Sequence, residues 1–321
     1  MSGSKNNKIF IGIDTSCYTS SAACVSFDSI IADSRTLLNV KQGERGLRQS
    51  DAVFQHTRNM TELLPALLNS IDPKRVAAIG VSAQPGNREN SYMPVFLVGK
   101  LLAETLGAAL SVPVHGFTHQ QGHIRAALFG NEALKGKPFF AFHLSGGTSD
   151  LLLVDELMNI ERIGGSSDIN AGQLVDRIGV KLKLGFPAGK ALESLAKSAC
   201  CRGVLLPASV SGTEFSFSGA ETKAAAALDS GEDPDKTAFS VFDLIARTLA
   251  KTVENALDKL SDAGVRDFLF AGGVASSTLL RELLEARLKK SNARLHFSDP
   301  KLASDNAVGA ALLAMDNSGS N

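Results

Sequence analysis

Two segments of this 321-residue chain constrain its fold more than any other feature. Residues 8–27 read KIFIGIDTSCYTSSAACVSF, and residues 139–154 read FFAFHLSGGTSDLLLV. Each is an apolar β-rich run, a short turn of small and hydroxylated residues, and a second apolar run. That order predicts strand, polar turn, strand. The likeness between the two is one of layout and not of identity. Two α/β halves, each opening on such a hairpin, predict an internally duplicated fold. The length accommodates this, since a chain of 321 residues holds about two domains with full cores.

The remaining pattern completes an α/β reading. Helical apolar spacing covers Gln55 to Ser70, Tyr92 to Leu110, Ala171 to Leu184, Lys190 to Cys201, Gly219 to Leu228 and Asp235 to Asp262. Short strands are expected at Val76 to Val81, Val112 to Val114, Asp267 to Ala271 and Arg294 to Phe297. A helix reaches to about Lys290. A last one starts at Ser304, whose hydroxyl is a plausible N-cap, and the tail DNSGSN is expected to be disordered. Lys+Arg and Asp+Glu are 33 each, so overall charge does not hold nucleic acid; a local basic patch remains open. The segment Arg177, Lys181, Lys183, Lys190, Lys197 and Arg202 is such a patch, with Glu193 as its one acid. A solvated helical surface is the other reading.

The first residues, MSGSKNNKIFIGID, hold no apolar stretch long enough for a signal peptide, so none is expected, and the longest apolar stretch, Val95 to Val114, is broken by Lys100 and Glu104. Cys17, Cys24, Cys200 and Cys201 show no CxxC spacing. These features predict reduced thiols in a cytoplasmic protein, with Cys17 serving packing.

Chemistry concentrates in a few places. His119 and His123 form an HxxxH pair, which on a helix shares one face and can reach one divalent metal. A pair on a surface helix is the plain alternative. The adjacent glutamate of a zinc protease is missing, so a peptidase lacks its general base. Ser145-Gly146-Gly147-Thr148 sits between two strands, where backbone amides can approach phosphate oxygens. Gly272-Gly273 lies between a strand and a helix, and Asp14-Thr15-Ser16 ends the first strand. Each can also be a simple turn. Asp176 faces a cleft or solvates a helix, and Asp305 is otherwise an N-terminal helix charge.

Taken in order, IGIDTSCYTS, THQQGH, HLSGGTSDLLLV, AGQLVDR, GFPAGK, EFSFSGAET, AGGVASS and SDNAVGAA span nearly the whole chain. This set resembles the tRNA N6-threonylcarbamoyladenosine transferase family, the TsaD family once labelled a glycoprotease. The resemblance implies the duplicated fold of acetate kinase, sugar kinases, Hsp70 and actin (the ASKHA fold). It implies an N-terminal lobe of residues 1–125, a C-terminal lobe of residues 126–300, and residues 301–321 returning to the first lobe. Nucleotide and metal are then expected in the cleft. It further implies that His119, His123 and Asp305 bind one divalent metal, iron(II) first, with zinc or manganese as alternatives. Asp14, Ser16, His143, Leu144, Ser145, Gly146, Gly147, Asp176, Gly189, Gly272, Gly273 and Ser277 correspond to positions that bind nucleotide or substrate, ATP or threonylcarbamoyl-AMP. Arg177, Lys181 and Lys183 would face tRNA. No catalytic residue is expected beyond the metal centre. Implied partners are TsaB-like and TsaE-like proteins, a threonylcarbamoyl-adenylate synthase, and a second copy or a paralogue as dimer partner.

The chain departs from the family pattern at five places. The glutamate of HxEGH is Gln121, the histidine of SGGHT is Thr148, and the lysine of SFSGxKT is Glu221. The loop after Gln84 differs, and Ser277 replaces an asparagine. These changes mark a diverged member. They leave room for a diverged paralogue that acts as a carbamoyl or acyl transferase or ATPase on another substrate, or that serves as a complex partner.

Overall fold

The computed structural model describes residues 7–16, 18–41, 47–86, 93–199, 201, 203–259 and 264–318. Cys17, Cys200, Arg202, Tyr92 and the last three residues of the tail fall outside them, so the packing expected of Cys17 does too. The chain divides into two compact units, Met1–Asn39 with Gly46–Phe129 and Asp305–Asn321, and Val40–Arg45 with Gly130–Ser304.

The first unit opens with β1 (Ile9–Asp14), β2 (Thr19–Val25), β3 (Ile30–Leu37), α1 (Gln49–Asn69), β4 (Val76–Gln84), α2 (Val95–Leu110), β5 (Val114–Thr118) and α3 (His119–Ala127). Its sheet runs β3-β2-β1-β4-β5, with β1 antiparallel to β2 and parallel to β4. The central strand β1 is buried throughout, which explains its unbroken apolar run instead of an alternating one. Ile9, Ile11 and Ile13 point into a core shared with Met60, Leu64 and Leu67 of α1 and Ala103 of α2. Each large side chain there contributes about 1.5–3 kcal/mol by leaving water.

The second unit contains β6 (Phe139–Leu144), β7 (Ser149–Val154), β8 (Ile160–Ser166), α4 (Ala171–Lys181), α5 (Gly189–Ser198), β9 (Ser209–Ser211), β10 (Glu214–Ser216), α6 (Ser218–Asp229), α7 (Pro234–Lys259), β11 (Asp267–Ala271), α8 (Thr278–Leu288) and β12 (Arg294–Phe297). Its sheet runs β12-β11-β6-β7-β8-β10-β9. Stripped of the β9–β10 hairpin, this is the order and orientation of the first sheet again: a three-strand meander, then two parallel strands beside its first member. Phenylalanines fill the centre. Phe140 stacks on Phe268 at 4.8 Å between ring centroids, and Phe142 on Phe270 at 5.1 Å.

The last helix, α9 (Val308–Ser318), belongs to the first unit and lies on β1 and β4. Glycines permit its approach. A Cβ on Gly12 would stand 2.0 Å from the Ala307 carbonyl oxygen, and one on Gly80 2.0 Å from that of Ala310. No larger residue fits at either place.

Several expected boundaries move. The last helix starts at Val308, not Ser304, because the Asn306 side chain accepts the Val308 amide at 3.0 Å. Asp305 therefore precedes the helix. The tail expected to be disordered is helical through Ser318, and Asp316 pairs with Arg125 at 2.6 Å. The fifth strand begins at Val114 and runs to Thr118, where a strand of three residues was expected to end. Among the described residues no helix is long and apolar enough to cross a membrane. Cys24 is a free buried thiol, and burial pushes its pKa up to about 11.

Candidate metal centre

Thr118 turns β5 into α3. Its hydroxyl accepts the Gln121 amide at 3.0 Å, and the Gln121 side chain accepts the Thr118 amide at 2.9 Å. This capping box starts the helix at His119 and sets His119 and His123 one turn apart on one face. Gln121 thus fills the N3 position of the box, where glutamine serves as well as glutamate.

Asp305 reaches the same place because α9 crosses α3 at a glycine pair. A Cβ on Gly309 would lie 1.9 Å from the Gly122 carbonyl oxygen. With glycine at 309, the turn of α3 between the two histidines can touch the start of α9. His119 Nε2 and His123 Nε2 are then 3.0 Å apart, His123 Nε2 and Asp305 Oδ1 3.1 Å, and His119 Nε2 and Asp305 Oδ1 3.4 Å.

These three atoms fit one cation. Bonds of about 2.0–2.2 Å at angles between octahedral and tetrahedral give edges of about 2.9–3.5 Å. Protonation states fit as well. Burial, with His119 next to it, pushes the His123 pKa below the usual imidazole value, toward the neutral form a ligand needs. Burial alone would raise Asp305, but hydrogen bonds from both histidines outweigh it and hold the carboxyl well below the usual carboxylate range. Among the described residues this trio is the one cluster of histidine, cysteine and acidic side chains grouped closely enough to hold a metal.

Asp14 and Ser16 stand behind His119. Asp14 Oδ2 is 2.9 Å from His119 Nδ1, and Ser16 Oγ is 2.9 Å from the same nitrogen. Asp14 Oδ1 accepts the Ser16 amide at 2.7 Å, and Oδ2 accepts the Ser82 hydroxyl at 2.8 Å. Burial would raise the Asp14 pKa, but the attraction and hydrogen bond of His119 outweigh it and lower the value. Nothing local in the sequence announced Ser82, Gly122 or Gly309 as parts of this arrangement.

The other sequence-predicted residues lie in the second unit. Ser145 Oγ accepts the amides of Gly147 at 3.2 Å and Thr148 at 3.0 Å, which closes the turn on itself. Gly146 and Gly147 are exposed, and no atom lies within 4 Å of a Cβ built on either. Gly172 of α4 packs directly under this turn, its virtual Cβ 2.6 Å from the Gly146 amide. His143 and Leu144 are buried at the end of β6. Gly272 has φ 94° and would carry a Cβ 2.4 Å from the Leu144 carbonyl oxygen, while Gly273 opens outward. Ser277 caps α8 by accepting the Leu280 amide at 3.1 Å. Asp176 accepts the Ala188 amide at 2.8 Å, directly before Gly189 opens α5, and burial raises its pKa.

The basic segment is less positive than a count along the chain suggests. Arg177 pairs with Glu221 at 2.8 Å and Lys181 with Asp229 at 2.6 Å, both acids coming from α6. Lys197 pairs with Glu193 at 2.9 Å. Lys183 and Lys190 form no ion pair among the described residues.

A five-strand core of this order, present twice in one chain, defines the acetate kinase, sugar kinase, Hsp70 and actin class. Solved structures agree on that fold. HypF of T. kodakarensis matches with TM-score 0.62 and 14% identity over 99% of this chain and 48% of that one. A ROK family glucokinase from Streptomyces griseus matches with TM-score 0.55 and 14% identity over 96% and 99%. Within the class, the chain belongs to the tRNA N6-adenosine threonylcarbamoyltransferase family of acyltransferases, whose model matches residues 30–312. It is 28% identical to the tRNA N6-adenosine threonylcarbamoyltransferase of Neorickettsia sennetsu over 97% of this chain and 94% of that protein. It is 32% identical to that of Aromatoleum aromaticum over 93% and 88%.

Proposed function

We propose that this chain transfers the threonylcarbamoyl group of threonylcarbamoyl-adenylate to N6 of the adenosine next to the anticodon of tRNA. The observation that carries the reading is the His119, His123 and Asp305 trio, which family membership alone does not supply. His119, His123 and Asp305 would hold a divalent cation, which would supply Lewis acidity toward an acyl carbonyl facing a weak amine nucleophile. The bond formed is N6 to the carbamoyl carbon; the bond broken is that carbon's bond to the phosphate oxygen of AMP, and N6 loses a proton. Two neutral imidazoles and a carboxylate suit iron(II), zinc or manganese.

In this reading the exposed Gly146-Gly147 turn takes the phosphate, as glycine turns do where backbone amides must meet anion oxygens. Asp176 and Gly189 take the ribose side, and Gly273 and Ser277 the base side. His143 and Leu144 shape the strand end beneath. TsaB-like and TsaE-like partners, and a synthase that makes the adenylate, complete the cycle in the cytoplasm. With Arg177 and Lys181 already paired, tRNA docks through Lys183, Lys190 and charge lent by those partners.

The Arg177–Glu221 pair favours a second reading. Where the family pattern has a lysine, this chain carries an acid that neutralises a neighbouring cation. That change suits a paralogue acting on a less anionic acceptor than tRNA. The test is a reconstituted assay with threonylcarbamoyl-adenylate, tRNA and the family's partner proteins, read by mass spectrometry of the nucleosides. Modified adenosine, lost on His119→Ala, supports the first reading. ATP turnover indifferent to tRNA, with no modified base, replaces it with the second.

A further inference from the structure

We propose that Asp14 is a positioning residue that orients His119 as a metal ligand, and that Ser82 holds Asp14 in place. This rests on the metal reading above and goes beyond it, because it assigns work to groups that need not touch cation or substrate.

An imidazole can offer a lone pair from Nε2 when its proton sits on Nδ1. His119 Nδ1 faces Asp14 Oδ2 at 2.9 Å, and its Nε2 faces His123 and Asp305. An ionised carboxylate has no proton to give, so the hydrogen in this contact belongs to His119. The ring is thereby held with Nδ1–H toward Asp14 and the Nε2 lone pair toward the other two donors. Ser16 Oγ, 2.9 Å from the same nitrogen, shares that proton.

Asp14 can serve because it is itself fixed. It is 1% exposed, the Ser16 amide donates to Oδ1 at 2.7 Å, and the Ser82 hydroxyl donates to Oδ2 at 2.8 Å. With His119, three donors converge on one carboxylate, which can neither rotate nor turn to solvent. Its negative charge also raises the basicity of the imidazole at Nε2, as carboxylates behind metal-bound histidines do. Asp14 so placed acts through His119 instead of contacting substrate directly.

The experiment is equilibrium binding of Co(II) to the full chain, without nucleotide or tRNA, for wild type, Asp14→Asn and Ser82→Ala. Circular dichroism first confirms that each is folded. Asp14→Asn keeps the shape and removes the charge, so its Co(II) affinity should fall about 10–100-fold. The visible Co(II) absorption bands should shift with it, which a loss of stability alone would not do. Ser82→Ala should lose less, by a few-fold. Wild-type affinity and an unchanged spectrum in Asp14→Asn overturn the proposal. Should that variant not fold, an unchanged affinity in Ser82→Ala does the same. A wild type that binds no Co(II) defeats the metal reading itself, a different failure from a wild type and Asp14→Asn that bind equally.

Discussion

The same hairpin opens both units, and its turn is put to opposite uses. Between β1 and β2, Asp14, Thr15 and Ser16 are buried, and every side chain has an internal partner. Thr15 donates to the Val95 carbonyl at 2.8 Å and accepts the Gly99 amide at 3.0 Å, while Asp14 and Ser16 face His119. Between β6 and β7, the turn is closed by Ser145 alone and leaves Gly146 and Gly147 facing solvent. One copy spends its polar groups on holding neighbouring elements; the other keeps a bare backbone open to solvent. Duplicated topology therefore does not carry duplicated chemistry. What decides is whether side chains or glycines occupy the turn, and whether a helix is seated over it.

Substitutions can break this contrast. The largest effect is expected from His119→Ala, which removes one of three donor atoms. Metal binding measured by elemental analysis should fall by more than about 100-fold, while the proposed function expects any nucleotide affinity of the other unit to stay as in the wild type. Gly309→Ala comes next. Its Cβ would enter the Gly122 carbonyl, a backbone clash that no rotamer relieves. Chemical denaturation should show a loss of roughly 3 kcal/mol, together with weakened metal binding.

Asp243→Asn probes the second unit. Asp243 is buried on α7, accepts Arg247 Nε at 2.9 Å and is paired with Arg287. Burial on its own raises its pKa, but the two guanidinium groups outweigh this and lower it. A carboxylate lowered on folding stabilises fully above its unfolded value, and that contribution disappears as pH falls through the lower folded value. The variant should cost about 2 kcal/mol at pH 7, and the gap from wild type should close in acid below the ordinary carboxylate value of 3.8. Equal gaps at pH 7 and pH 2 would sink this account. Gly147→Ala is the smallest for the fold. The open site should keep stability within about 0.5 kcal/mol of wild type, while the proposed phosphate role of this turn expects nucleotide affinity to fall.

Much of this was legible in the sequence, and the gaps have physical causes. Both hairpins, the strand Asp267–Ala271 and the strand Arg294–Phe297 follow from apolar runs bounded by polar turns. The strand Ile30–Leu37 was missed because it sits at a sheet edge and reads IIADSRTL, too polar for a run. Strands β9 and β10 have three residues each, too few to show a period. The metal trio followed from HxxxH spacing only through the family resemblance, since Asp305 lies 182 residues beyond His123. Ser82 meets Asp14 across neighbouring strands, and Asp14 meets His119, pairings that no local window contains. The ion pairs of the basic segment were hidden for the same reason: Glu221 and Asp229 lie 44 and 48 residues from their partners.

The final helix has a consequence for how the molecule is made. During synthesis β1 is made before the whole second unit and α9 after it, yet the two pack together, and Asp305 precedes α9 by three residues. Residues 130–304 have their strand partners at hand before α9 is made. The first unit must wait with one face of β1 and β4 uncovered. A chain cut short between His123 and Asp305 holds both histidines but lacks their third partner, so the donor set is complete only once the whole second unit has been made.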